Sequence, residues 1–92
     1  MQQIKFEWDE NKNQNNIKIR DIDFNIVKNF DFQSALIIED IRYDYGEKRY
    51  SAIGYITSFL YVLIFSYRNN AIRVISLRRA NKKERIKYYE KK

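Results

Sequence analysis

The chain has 92 residues, room for one domain (1–92) with one core, and its 45% hydrophobic and 16% aromatic content can build that core without cross-links. It has no Cys, no His and only two glycines, Gly46 and Gly54. That excludes disulfides, thiolate metal sites, cysteine nucleophiles, Ser–His triads, Walker A loops and dinucleotide fingerprints. The net charge of +6 is uneven: residues 1–46 sum to −3 and residues 47–92 to +9, so the second half points to nucleic acid or another anionic surface.

At the start, Met1 to Glu7 has no apolar core of signal-peptide length, which implies a mature, cytoplasmic protein. Ile4, Phe6 and Trp8 alternate with Lys5 and Glu7, a short strand with one apolar face. Asp9 can cap a helix from Glu10 to Ile19 by accepting from free backbone N–H groups. That helix is rich in Asn and apolar only at Ile17 and Ile19, so packing must hold it. A second short helix begins after Asp23, with Phe24, Val27 and Phe30 on one side.

From Ser34 the period changes to two. Four strands are predicted, Ala35–Arg42, Lys48–Ile56, Phe59–Arg68 and Ala71–Arg79, all rich in Ile, Val, Tyr and Phe. The longest apolar run, Phe59 to Phe65, is strand-sized and too short to span a membrane. Thr57-Ser58 and Asn69-Asn70 are two-residue links, which imply antiparallel hairpins. Asn81 followed by Glu84 resembles a capping box that opens a basic helix, Lys82–Lys92. The order β-α-α-β-β-β-β-α specifies an α+β domain with helices packed on an antiparallel sheet.

Counting outward from the two hairpin turns places Arg49 opposite Ser66, Glu47 opposite Arg68 and Ser66 opposite Arg73. These five residues then project from one face at one end of the sheet, with Ile53, Val62, Ile64, Ile75 and Leu77 further along it. A single-residue slip would move part of the set to the other face. Arginine offers a planar fork suited to phosphate oxygens, so the cluster reads as a phosphate-binding platform, against the alternative of a Glu47–Arg68 pair with solvated neighbours. Arg78, Arg79, Lys82 and Lys83 strengthen the polyanion reading. Tyr67, Tyr88 and Tyr89 could stack on bases, although tyrosines in a small core are more often packing. Glu39, Asp40 and Asp44 lack a ligand pattern and read as a solvated acidic turn, so no metal and no cofactor is assigned.

The residues assembled so far resemble the BrnT toxins, a branch related to the RelE and ParE toxins. Phe6-Glu7-Trp8-Asp9, Asn11-Lys12, Asn16, Lys18 and Phe24 match the family's opening. Gly46-Glu47-Lys48-Arg49-Tyr50, Ile53-Gly54, Arg68, the run Ile72 to Ala80, and Glu84-Arg85 with Tyr88 or Tyr89 match the remainder. The resemblance implies a RelE-like fold and a bacterial type II toxin that arrests growth by cutting RNA. It also implies a neighbouring BrnA-like antitoxin with a ribbon-helix-helix domain, a 2:2 complex, and contact with operator DNA only through that antitoxin. The chain departs from the family in places: Ile19, Arg20 and Asp21 stand where it usually has Lys-His-Gly, Tyr67 stands where an acidic residue often precedes the strand-end Arg, and the Asp-Pro after the second helix is lost. Arg20 can bind phosphate but cannot act as a base, because guanidinium does not deprotonate in proteins.

Cleavage without His needs a base for the 2′-OH, donors for the phosphate and an acid for the 5′-oxygen. Arg68, Arg73 and Arg78 are assigned to the phosphate with Arg49 alongside, and Glu47 is the base candidate. Tyr67 or Lys12 is the proton donor, and Lys12, Arg20, Arg49, Arg79, Lys82 and Lys83 are RNA contacts. Strict alternation puts Tyr67 and Arg78 on the face opposite Glu47 unless a bulge intervenes. The competing functions are a catalytically degenerate toxin-fold protein and a basic nucleic-acid-binding module that does not cleave.

Overall fold

The computed structural model describes residues 4–91. Its elements are β1 (Lys5–Glu7), α1 (Glu10–Arg20), a 3-10 segment (Phe24–Asn29), β2 (Leu36–Asp40), β3 (Arg49–Ile56), β4 (Phe59–Arg68), β5 (Ala71–Arg79) and α2 (Lys82–Tyr89). The five strands form one sheet in the order β1-β5-β4-β3-β2. Both two-residue hairpins form, and their turns need left-handed backbone: Asn69 and Asn70 sit at φ 53° and 63°, and Thr57 at φ 56°. Asn tolerates that region, whereas β-branched Thr57 is strained in it.

The sheet is not wholly antiparallel. β1 runs parallel to β5, Lys5 opposite Ala71 and Glu7 opposite Arg73. Parallel neighbours require a crossover, and here nearly the whole chain lies between the two strands. The second predicted helix is a six-residue 3-10 segment, too short to sustain an α-helical ladder. α2 ends at Tyr89 rather than continuing, and Lys92 lies outside the described residues, as do Met1 to Gln3.

α1 is held by its asparagines rather than by an apolar stripe. Asn13 and Asn16 are buried, while Ile19 is exposed. Asn13 Oδ1 accepts from Phe24 N at 2.8 Å, and Asn16 Nδ2 donates to the Ile22 and Leu77 carbonyls at 2.9 and 3.0 Å. These amides satisfy backbone groups that would otherwise be buried without partners. Asp9 caps α1 through Asn11 N at 2.8 Å.

One sheet face carries the main core: Ala52, Leu63, Phe65, Ile72, Val74 and Leu77 pack under Phe24, Val27 and Phe30. On the other face α2 lays Tyr88 against Ile53, Leu60 and Val62, with Ala80 beside them. α2 covers only one end of that second face. The other end is where the arginines emerge.

A β-bulge decides which side chains belong to it. Phe65 lies opposite Val74, but Ile64 lies opposite Ser76, so Ile75 is an extra residue in β5. Beyond it the alternation of β5 inverts. Leu77, expected among the residues beside the arginines, is instead fully buried in the main core. Arg78, opposite Val62, moves to the face of Ser66 and Arg73.

Candidate active site: a charged row across five strands

The register lines up one residue from every strand on the open face. Glu7 of β1 lies opposite Arg73 of β5, and Arg73 lies opposite Ser66 of β4. One step past the Tyr50–Phe65 pair brings Arg49 of β3 beside Ser66, and Arg49 in turn faces Asp40 of β2. The row thus reads acid, arginine, serine, arginine, acid.

Arg68 stands two residues along β4 from Ser66 and so shares its face. Glu47, in the loop before β3, reaches 3.8 Å from Arg49 Nε and 3.8 Å from Arg68 Nη2. Glu7 is 3.5 Å from Arg73 Nη1. All three contacts are longer than charge-assisted hydrogen bonds of good geometry, so these forks retain donors for another anion. The structure therefore brings together Glu47, Arg49, Ser66, Arg68 and Arg73.

The rim nearest Arg49 is tied by hydrogen bonds. Arg42 donates through Nε and Nη2 to the two Asp40 oxygens, both at 2.9 Å, and Tyr45 OH donates to Asp40 at 3.2 Å. Those Arg42 bonds hold the Asp40 carboxyl well below the usual carboxylate range and raise Arg42. The Tyr45 ring carries the Arg49 guanidinium 4.1 Å from its centroid. The acidic turn expected to be solvated thus contains an Asp40 side chain only 5% exposed. Its burial is possible because Arg42, two residues on, returns over it.

Other candidates lie elsewhere. Arg78 shares the face, but both its terminal nitrogens donate to Glu84, at 2.7 and 2.6 Å. The same bond lowers Glu84 and raises Arg78, so that fork is closed. Tyr67 cannot serve as the acid beside Glu47, because it packs on the opposite face against Tyr50 and Phe65. No bulge interrupts β4 between it and Ser66 to turn it round. Arg79 also faces that way, 3.8 Å over the Phe59 ring.

Lys12 is exposed on α1, which belongs to the layer on that far side. Arg20 donates to Asn16 Oδ1 at 2.6 Å. Lys82 and Lys83 are exposed in the first turn of α2, beside the Arg78–Glu84 pair. Tyr88 is buried in the core, and Tyr89 OH contacts Tyr55 OH. Sequence reasoning missed Glu7 and the Asp40–Arg42–Tyr45 group. For Glu7 no local signal exists, since its partner is 66 residues away; for Asp40 the signal was the arginine two places on.

A family model described as "Ribonuclease toxin, BrnT, of type II toxin-antitoxin system" matches residues 8–84. The crystal structure of the Brucella abortus ribonuclease toxin BrnT is similar to this chain at 31% identity. That match has a TM-score of 0.69 and covers 87% of this chain and 100% of the Brucella chain. A comparison with curated proteins finds no match.

Proposed function

The chain belongs to the BrnT family, ribonuclease toxins of type II toxin–antitoxin systems, and from that premise we propose that it cuts RNA on the open arginine face of its sheet. The observation that carries the proposal is the pair Arg49 and Arg68 around Glu47, each at 3.8 Å, with Arg73 on the same face opposite Ser66 and 3.5 Å from Glu7. Three forks on one face can bind a phosphodiester and stabilise the added negative charge of its transition state. Glu47 takes the 2′-OH proton as O2′ bonds to phosphorus. The bond from phosphorus to O5′ breaks, and the leaving oxygen takes its proton from water. The products are a 2′,3′-cyclic phosphate and a 5′-hydroxyl. No step needs a metal ion, in keeping with a chain that has no His or Cys.

The partner is a BrnA-like antitoxin with a ribbon-helix-helix domain, and that domain's shared strand pair makes the complex 2:2. Operator DNA is contacted only through the antitoxin, and the complex is cytoplasmic. A RelE-like label for the fold belongs to the same reading. A second reading, a degenerate toxin, draws on Arg20, which stands in place of the family's His and is bound to Asn16.

Inducing the protein alone in bacteria separates the two. Growth arrest with fragmented RNA is expected, and arrest should vanish in Arg68→Ala and Arg73→Ala. Unimpaired growth with intact RNA would establish the degenerate reading. Light scattering on the complex co-purified with the adjacent gene's product should give the mass of two copies of each chain.

A further inference from the structure

Beneath the arginines lie two buried polar atoms without partners, Arg49 Nε and Ser66 Oγ. They belong to neighbouring residues on adjacent strands, one register step past Tyr50–Phe65. Ser66 is fully buried. A buried donor without an acceptor is strongly disfavoured, so a native fold retains one only where another group satisfies it. Arg49 Nε–H can only donate, and the Ser66 hydroxyl can donate beside it. Two such donors on neighbouring residues of one face, which also carries Arg68 and Arg73, call for an oxygen of negative charge rather than a cation. The anionic oxygen now closest to hand is that of Glu47, 3.8 Å from Arg49 Nε and beyond hydrogen-bond reach.

We propose that Ser66 Oγ and Arg49 Nε form the seat of one non-bridging phosphate oxygen of the RNA backbone, which opens when Glu47 moves aside. The inference rests on the RNA-cleaving function above and adds Ser66 as a catalytic residue touching the reacting phosphate. Glu47 lies between Arg49 and Arg68, 3.8 Å from each and hydrogen-bonded to neither. Its position in the loop before β3 lets it swing without disturbing the sheet. An arriving phosphate takes the two donors, and the displaced carboxylate is left beside the ribose with its oxygens free to accept the 2′ proton. One event thereby seats the substrate and frees the base.

The test follows the Arg49 Nε–Hε resonance by NMR while inorganic phosphate, and separately a short 2′-O-methyl RNA that cannot be cut, is added. Both probes should shift that resonance in the wild-type protein. Ser66→Ala should weaken both by at least about tenfold and slow RNA cleavage to a similar degree. Its melting temperature should not fall, because the hydroxyl removed has no partner in the free protein. Glu47→Gln should bind phosphate more tightly while losing cleavage.

An Arg49 signal indifferent to phosphate, or Ser66→Ala binding and cleaving as well as wild type, would overturn the seat. So would a response to inorganic phosphate without one to the oligonucleotide, which would mark a free-phosphate site. A protein whose Arg49 answers both probes but which never cuts RNA would keep the seat and defeat the ribonuclease function of this chain.

Discussion

Gly54 is fixed by what stands across from it. A Cβ there would lie 2.7 Å from Phe30 Cζ and 3.0 Å from Ala35 Cβ, inside the core that joins β3 to the 3-10 segment. Gly54→Ala is therefore expected to destabilise the protein by about 1–3 kcal/mol, as overpacking of a tight core does. Urea denaturation measures this, and Phe30→Leu in the same chain should recover part of the loss. The arginines behave oppositely. Arg68 and Arg73 stand at the open sheet end, so their replacement by Ala leaves no cavity and should change stability by less than about 0.5 kcal/mol while abolishing toxicity. Leu77→Ala, four positions from Arg73 and fully buried, should cost about 2–5 kcal/mol.

Among the elements, α2 depends on one carboxylate doing two jobs. Glu84 accepts from Asn81 N at 2.8 Å to close the capping box and also takes the Arg78 fork. Glu84→Ala should therefore lower stability by about 1–2 kcal/mol, mostly through the lost cap, since the ion pair is partly solvated. Thermal melts would show it, and Arg78→Ala alone should have the smaller effect. That cap was legible in the sequence because its signal is local: Asn, then Glu three residues on. β3, β4 and β5 were legible to within a residue from their alternation and two-residue links. The bulge was not, because Ile75 and Leu77 are both apolar and either register buries a hydrophobic side chain. The parallel pairing of β1 with β5 was hidden by distance along the chain. The anchoring of α1 was hidden by chemistry, since a run of asparagines reads as surface until Asn13 and Asn16 are seen bonding the backbone. Of the site, the cluster around Glu47 followed from strand register alone, whereas the closure of Arg78 by Glu84 required the position of α2.

At the scale of the molecule, charge explains how stability responds to pH. Asp40, Glu84, Asp23, Asp31 and Glu10 are all held below their ordinary pKa by hydrogen bonds they accept, chiefly from Arg42, Arg78, Asn25, Ser34 and Gln14 respectively. A lowered folded-state pKa gives stability that is full above the unfolded value and is lost as pH falls through the folded one. With no His or Cys to titrate, the melting temperature should stay level between roughly pH 5 and 7 and drop below about pH 4. RNA cleavage should persist in excess EDTA, and rescue of an EDTA-inhibited enzyme by one divalent ion would refute the metal-free chemistry. The sheet has a further consequence for heredity. Its main core lies on one face and its arginines on the uncovered end of the other, so damage to the chemistry and damage to the fold fall on different codons. Bacteria that survive expression of this chain should then carry two kinds of escape allele. Lesions at Arg49, Ser66, Arg68 or Arg73 would leave full-length, abundant, harmless protein still able to engage its antitoxin, and lesions at Phe24, Leu63 or Leu77 would leave little protein at all.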